Sequence, residues 1–143
     1  EQLNEEGKNE KAIAVLDKVM EELPLSQVPA DNSLLRYIPL YYTLGETEKA
    51  NHLVNELATN NYQMLKYIYS LSPSFANTAS IRQEENMSIG VIQMLLDVTS
   101  KAGQRDLAME IKNKVESIFN PTLVQPTRPK SYSSDTAPKV EMK

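Results

Sequence analysis

Apolar positions recur at helical spacing through most of residues 1–119, and in three places the recurrence starts from one small motif. Glu6–Ala12, Leu44–Ala50 and Ala102–Ala108 each hold a Gly followed five positions later by an Ala, with apolar residues continuing three and four apart. Ala12, Leu16 and Val19 share a face in the first unit, and Pro24 closes that helix. Ala50, Val54 and Leu57 repeat the stripe in a helix predicted for residues 46–60. Leu107, Ala108, Ile111, Val115 and Ile118 form the stripe of the third unit. One helical pair cannot bury its own apolar face, so a repeated glycine turn and helix predicts stacked pairs sharing one core, with Gly7, Gly45 and Gly103 as turns.

The helices that should precede these turns are legible for two units. Asp31-Asn32-Ser33 is a capping sequence, and a helix is expected from Asn32 to Thr43 with Leu34, Tyr37, Ile38 and Tyr41 facing its partner. Pro39 falls inside it. A mid-helix proline removes a backbone donor and costs about 3 kcal/mol, which predicts a kink or a late helix start. A long helix from about Ser80 to Ala102 places Ile81, Ser88, Ile92, Leu95 and Leu96 on one side.

Unit spacing is uneven. Gly7 to Gly45 is 38 residues and Gly45 to Gly103 is 58, against about 34 for tetratricopeptide repeats, so some 24 residues are inserted before the last pair. Tyr62–Tyr69 reads as a further, inserted helix, broken at Ser72-Pro73-Ser74. The pattern stops at Asn120. Residues 120–143 hold Pro121, Pro126, Pro129 and Pro138, and Arg128, Lys130, Lys139 and Lys143 against Asp135 and Glu141, a net +2. Such composition predicts a solvated tail after a helical domain of residues 1–119.

Composition narrows the chemistry. A chain of 143 residues is long enough for one core, with roughly 68–70% of its surface buried on folding. With no Cys and only His52, disulfides, thiolate metal sites and multi-histidine zinc sites are excluded. A net charge of −4 and a pI near 5.1 argue against binding the phosphates of nucleic acid. Gly90–Leu96, the longest apolar run, is far short of the roughly 20 residues of a membrane span. The start at Glu1-Gln2-Leu3, without an initiator Met, reads as the last turns of a helix that precedes the Gly7 turn, and the chain is expected to be a piece of a longer protein.

The Gly-Ala-apolar-Pro pattern resembles tetratricopeptide hairpins over residues 1–60 and 89–121. That resemblance implies an all-α fold of antiparallel helical hairpins in a short right-handed superhelix, with an inserted helix and an irregular Pro-rich tail. The wording of residues 6–21 (Glu6-Gly7-Lys8-Asn9-Glu10-Lys11-Ala12-Ile13-Ala14-Val15-Leu16-Asp17-Lys18-Val19-Met20-Glu21), with Leu25 to Pro29, Leu40-Tyr41-Tyr42 and Tyr69-Ser70-Leu71-Ser72-Pro73, resembles something narrower. It is similar to the C-terminal region of bacterial polytopic proteins related to protein O-mannosyltransferases. The resemblance implies a glycosyltransferase-like parent with membrane spans upstream, and an extracytoplasmic, periplasmic position for this domain. Catalytic carboxylates of that family would lie in its membrane part, so none is carried onto these residues.

Inner-face positions of helical-repeat scaffolds map onto Asn32, Leu35, Pro39 and Tyr42 in the second unit and onto Gln93 and Asp97 in the third. On a concave surface such amides and carboxylates reach a peptide backbone while tyrosine stacks. A non-catalytic interaction or support module is therefore expected, its partner a protein segment or the membrane part of the parent chain; the alternative is a free-standing extracytoplasmic helical-repeat protein that binds a glycan. The glycan reading starts from Tyr37, Tyr41 and Tyr42 on one helix and Tyr62, Tyr67 and Tyr69 on the next, a shared cluster that either packs the core or stacks sugars through Tyr42 and Tyr67.

The carboxylate pairs Glu5-Glu6, Glu21-Glu22 and Glu84-Glu85 point about 100° apart on a helix, as solvated faces do, rather than across a substrate. His52 is expected to face water. No nucleophile with its base, phosphate-cradling glycine loop or metal cluster stands out, so no catalytic residue, cofactor or metal is expected.

Overall fold

A computed structural model describes residues 2–22 and 32–120, with side chains from Gly7 onward. The predicted closure at Pro24, the Leu25–Asp31 connection and the tail from Pro121 lie outside the described residues. The fold is all-helical among the described residues: α1 (Gln2–Glu22), a 3-10 helix (Asn32–Tyr37), α2 (Ile38–Thr43), α3 (Thr47–Ser70), α4 (Pro73–Ala76), α5 (Ala79–Lys101) and α6 (Arg105–Phe119).

Two turns carry the architecture, and they are built alike. Gly45 and Gly103 stand at φ 81° and 76°, the left-handed region that only glycine enters cheaply. In each, the glycine N–H donates to the carbonyl three residues back, Tyr42 at 3.2 Å or Ser100 at 3.1 Å. The next N–H donates to the carbonyl five back, Glu46 to Tyr41 at 2.9 Å and Gln104 to Thr99 at 2.8 Å. This two-bond closure is a Schellman motif, which satisfies carbonyls that a helix end would otherwise leave open. Glu46 and Gln104 then start α3 and α6 by accepting the N–H of Ala50 and Ala108, each at 3.0 Å. Both alanines are buried, since the first turn of the new helix lies too close to its neighbour for a larger side chain.

Gly7 does not join them. It lies inside α1 without a positive φ, so the expected first turn is absent. A reversal there would need a helix upstream to fold back on, and residues 2–6 instead continue α1 itself. The expected stripe shifts accordingly. Ala12 is exposed and Val19 half-buried, while Leu16 enters the core. Asp17 ties α1 to the rest, accepting from the Tyr41 hydroxyl at 3.3 Å and pairing with Lys49 at 2.6 Å.

The supposed inserted helix also resolves differently. Residues 47–70 form one unbroken helix, so Tyr62–Tyr69 is the second half of α3 rather than a separate element. Asn61, which lies between the two predicted helices, is buried in mid-helix and satisfied: its amide donates to the Leu57 carbonyl at 2.8 Å and to Asn32 Oδ1 at 3.0 Å. The extra residues thus lengthen α3, form the one-turn α4 and lengthen α5, which begins at Ala79.

Pro39 sits in the first turn of α2, where its missing donor costs nothing, and the 3-10 helix carries the chain up to it. A late start is what the proline imposes. Helices α3 and α5 run antiparallel through the centre, as Tyr69 bonding Glu85 at one end and Asn51 bonding Gln104 at the other require. The core gathers Leu34, Ile38 and Tyr41 beneath α3, Val54, Leu57 and Leu65 along it, Ile92 and Leu95 on α5, and Ile111 on α6.

Candidate functional site

The two Schellman turns meet side by side, and Asn51 joins them. Its Oδ1 accepts the Tyr42 hydroxyl at 2.6 Å, and its Nδ2 donates to Gln104 Oε1 at 3.1 Å. One side chain on α3 thereby bridges the residue that closes α2 and the residue that opens α6. Burial pushes the Tyr42 phenol above its ordinary value near 10, so the hydroxyl remains a donor throughout the physiological range.

Beside this joint lies a cleft of about 590 Å³ between the 3-10 helix with α2 on one side and α5 on the other. Leu35, Pro39, Met94, Val98 and Ala102 make its apolar surface, and Tyr42 stands among them. Met94 and Val98 on α5 and Ala102 at its C-terminal cap follow one another by four, which puts them in a line along the helix. Asp97 and Lys101 form the rim and pair with each other at 2.7 Å across one helical turn, both exposed. The arrangement offers an apolar trough with a hydroxyl at the joint and a two-charge edge.

Three of the five positions expected for binding, Leu35, Tyr42 and Asp97, come together here, with Pro39 beside them. Asn32 is engaged elsewhere, accepting from Asn61 at the base of the 3-10 helix. Gln93 is exposed on α5 outside the lining. Sequence reasoning missed Met94, Val98 and Ala102, although their spacing of four was the available signal.

The expected tyrosine cluster separates. Tyr42 bonds to Asn51, and Tyr67 lies roughly 24 Å further along α3 from Asn51. Tyr41 is buried in the core, Tyr37 carries the Arg36 guanidinium 5.0 Å above its ring, and Tyr62 has Lys114 at 5.6 Å. The ring pair among the described residues is Tyr69 with Phe119, centroids 5.1 Å apart at 80°. His52 is exposed, as are Glu21, Glu22 and Glu84, while Glu5-Glu6 lies outside the described side chains. Among the described residues no group of His, Asp and Glu could hold a metal ion, and no helix is long and apolar enough to cross a membrane.

No protein-family model matches the chain, and neither a curated protein nor a solved structure does.

Proposed function

We propose that these residues form a non-catalytic interaction module of tetratricopeptide-like hairpins in a short right-handed superhelix, carried by a larger membrane-anchored, glycosyltransferase-like protein on the periplasmic side. The observation that carries the binding role is the cleft between α2 and α5, where Leu35, Pro39 and Tyr42 meet Met94, Val98 and the Asp97–Lys101 rim. Apolar side chains of a partner polypeptide would displace water from the trough, while Asp97 and Lys101 would pair with its backbone amides and carbonyls. A space of about 590 Å³ holds a few side chains, so the partner is a short segment from the parent's membrane part or from a second protein. The glycosyltransferase-like parent rests on the resemblance of residues 6–21, 25–29, 40–42 and 69–73.

Photo-crosslinking tests the binding role. A benzoylphenylalanine in place of Met94, in the full-length protein in its native membrane, should yield a polypeptide adduct, and the same group in place of Met109 on α6 should not. Adducts of equal strength from both positions, or none from Met94, would contradict the proposal. The parent is checked by the complete reading frame, which should encode many apolar spans upstream of Glu1; a secretion signal there without spans would rule it out.

A further inference from the structure

The far end of the α3–α5 pair has a second cleft, of about 520 Å³, where α3 ends, α4 makes its single turn and α5 begins. Its volume falls in the roughly 300–1,000 Å³ range of small-ligand sites. One wall is the Tyr69 ring, 48% exposed yet fixed from two sides. The hydroxyl donates to Glu85 Oε1 at 2.6 Å, and the ring meets Phe119 edge-on. Arg82, Glu85 and Asn86, three and four apart on α5 and thus on one face, line it as well. Among the described residues the Arg82 guanidinium gives one hydrogen bond, to Asn77 Oδ1 at 3.1 Å, and a guanidinium carries five N–H groups. Leu71 and Pro73 complete the apolar side.

The charges decide what fits. A guanidinium and a carboxylate face the same small space, so an anion meets Glu85 and a cation meets Arg82, and each is penalised by the group it does not want. Such a set suits a ligand without net charge, and the exposed Tyr69 ring with Leu71 and Pro73 beside it favours one with many hydroxyls and one apolar face. Hydroxyls donate to Glu85 and accept from Arg82 and Asn86, while axial C–H groups lie on the tyrosine ring. We infer that the corner cleft between α3, α4 and α5 is a binding site for a neutral pyranose ring, with Tyr69 as its stacking platform and Arg82, Glu85 and Asn86 as its polar contacts.

The site is independent of the α2–α5 cleft, and of the six tyrosines from which a sugar surface was expected it uses Tyr69, not Tyr42 or Tyr67. Tyr69 qualifies because it is held. An exposed aromatic ring free to rotate would lose side-chain entropy on stacking, whereas one tethered at its hydroxyl and braced at its edge has already lost it.

The full 143-residue chain, labelled with nitrogen-15, is titrated with the methyl glycosides of glucose, galactose and mannose, and with glucuronic acid and glucosamine as charged counterparts. At least one neutral glycoside should bind in the millimolar range and move the amide signals of Tyr69, Arg82, Glu85 and Asn86. Tyr69→Ala should weaken that binding about tenfold. Asn86→Ala, on an exposed helix face with no role in the core, should weaken it severalfold with an unchanged melting temperature, which separates lost recognition from lost folding. The inference is overturned by any of three results: no neutral glycoside shifts these signals at concentrations on the order of 10 mM, binding survives both substitutions, or a charged sugar binds more tightly than every neutral one.

Discussion

At each of the four glycines an added Cβ would meet nothing within 4 Å, so the four differ only in backbone conformation. Gly45 and Gly103 occupy the left-handed region, so alanine there is strained by roughly 1–2 kcal/mol, whereas Gly7 and Gly90 lie inside helices where alanine gains about 0.5–1 kcal/mol. Denaturant unfolding of the four Gly→Ala variants should therefore split by sign, with 45 and 103 destabilised and 7 and 90 stabilised or unchanged. A destabilised Gly7→Ala would restore the turn that the repeated motif suggests. The motif misleads at Gly7 because a glycine five before an alanine is compatible with both a turn and a helix interior. What distinguishes them is whether a helix precedes the glycine and must end there.

Tyr69 supplies a second measurement at this scale. Its hydrogen bond to Glu85, helped by partial burial, pushes the phenol up to about 12 from an ordinary 10. The folded state keeps this proton where an unfolded chain would lose it. The stability it contributes is complete below about pH 10 and is lost as the pH rises through about 12. A tyrosinate absorbance titration of wild type minus Tyr69→Phe should show one phenol ionising near pH 12; a difference step near pH 10 would mean that the bond to Glu85 does not persist in solution. No sequence pattern announces this pair, because its members lie 16 residues apart on different helices.

At the scale of elements, helix pairing depends on the bridge at Asn51. Removing its amide takes from the Tyr42 hydroxyl its acceptor and from Gln104 Oε1 its donor, at a cost of about 1–2 kcal/mol for Asn51→Ala. If the bridge is one unit, Tyr42→Phe costs measurably in the wild-type background and nearly nothing more once Asn51 is gone. Additive melting shifts in that double-mutant cycle would show the turns to be held independently. Periodicity announced α5 and α6 well, since their stripes are continuous and their glycine turn is unambiguous. It divided α3 in two, because the repeat unit implies an end at residue 60 and leaves Tyr62–Tyr69 inserted after it. The partner that makes Asn61 a packing residue, Asn32, is 29 positions away and becomes visible only in the folded chain.

For the whole molecule, the all-helical class was legible from the 3.6-residue stripes, and the candidate site only in part. Leu35, Tyr42 and Asp97 could be placed on an inner face from repeat register, yet the register could not say that Asn32 would be consumed by Asn61 or that Gln93 would fall outside the trough. Those positions are settled by contacts between elements, Asn61 of α3 with Asn32 of the 3-10 helix and α5 with α2, which no single stripe encodes. The resulting molecule places its apolar trough on the α2–α5 side and a largely charged surface on α6, with Lys112, Lys114 and Glu116 outward. If these residues are, as proposed, a module of a longer protein that binds through one side, that asymmetry should show when the rest of the protein is present. Hydrogen–deuterium exchange of residues 1–143 alone and within the full-length protein tests this directly. The expected result is added protection in residues 35–43 and 94–102 with α6 unchanged; equal exchange everywhere, or protection confined to α6, would contradict an interaction role for the α2–α5 cleft.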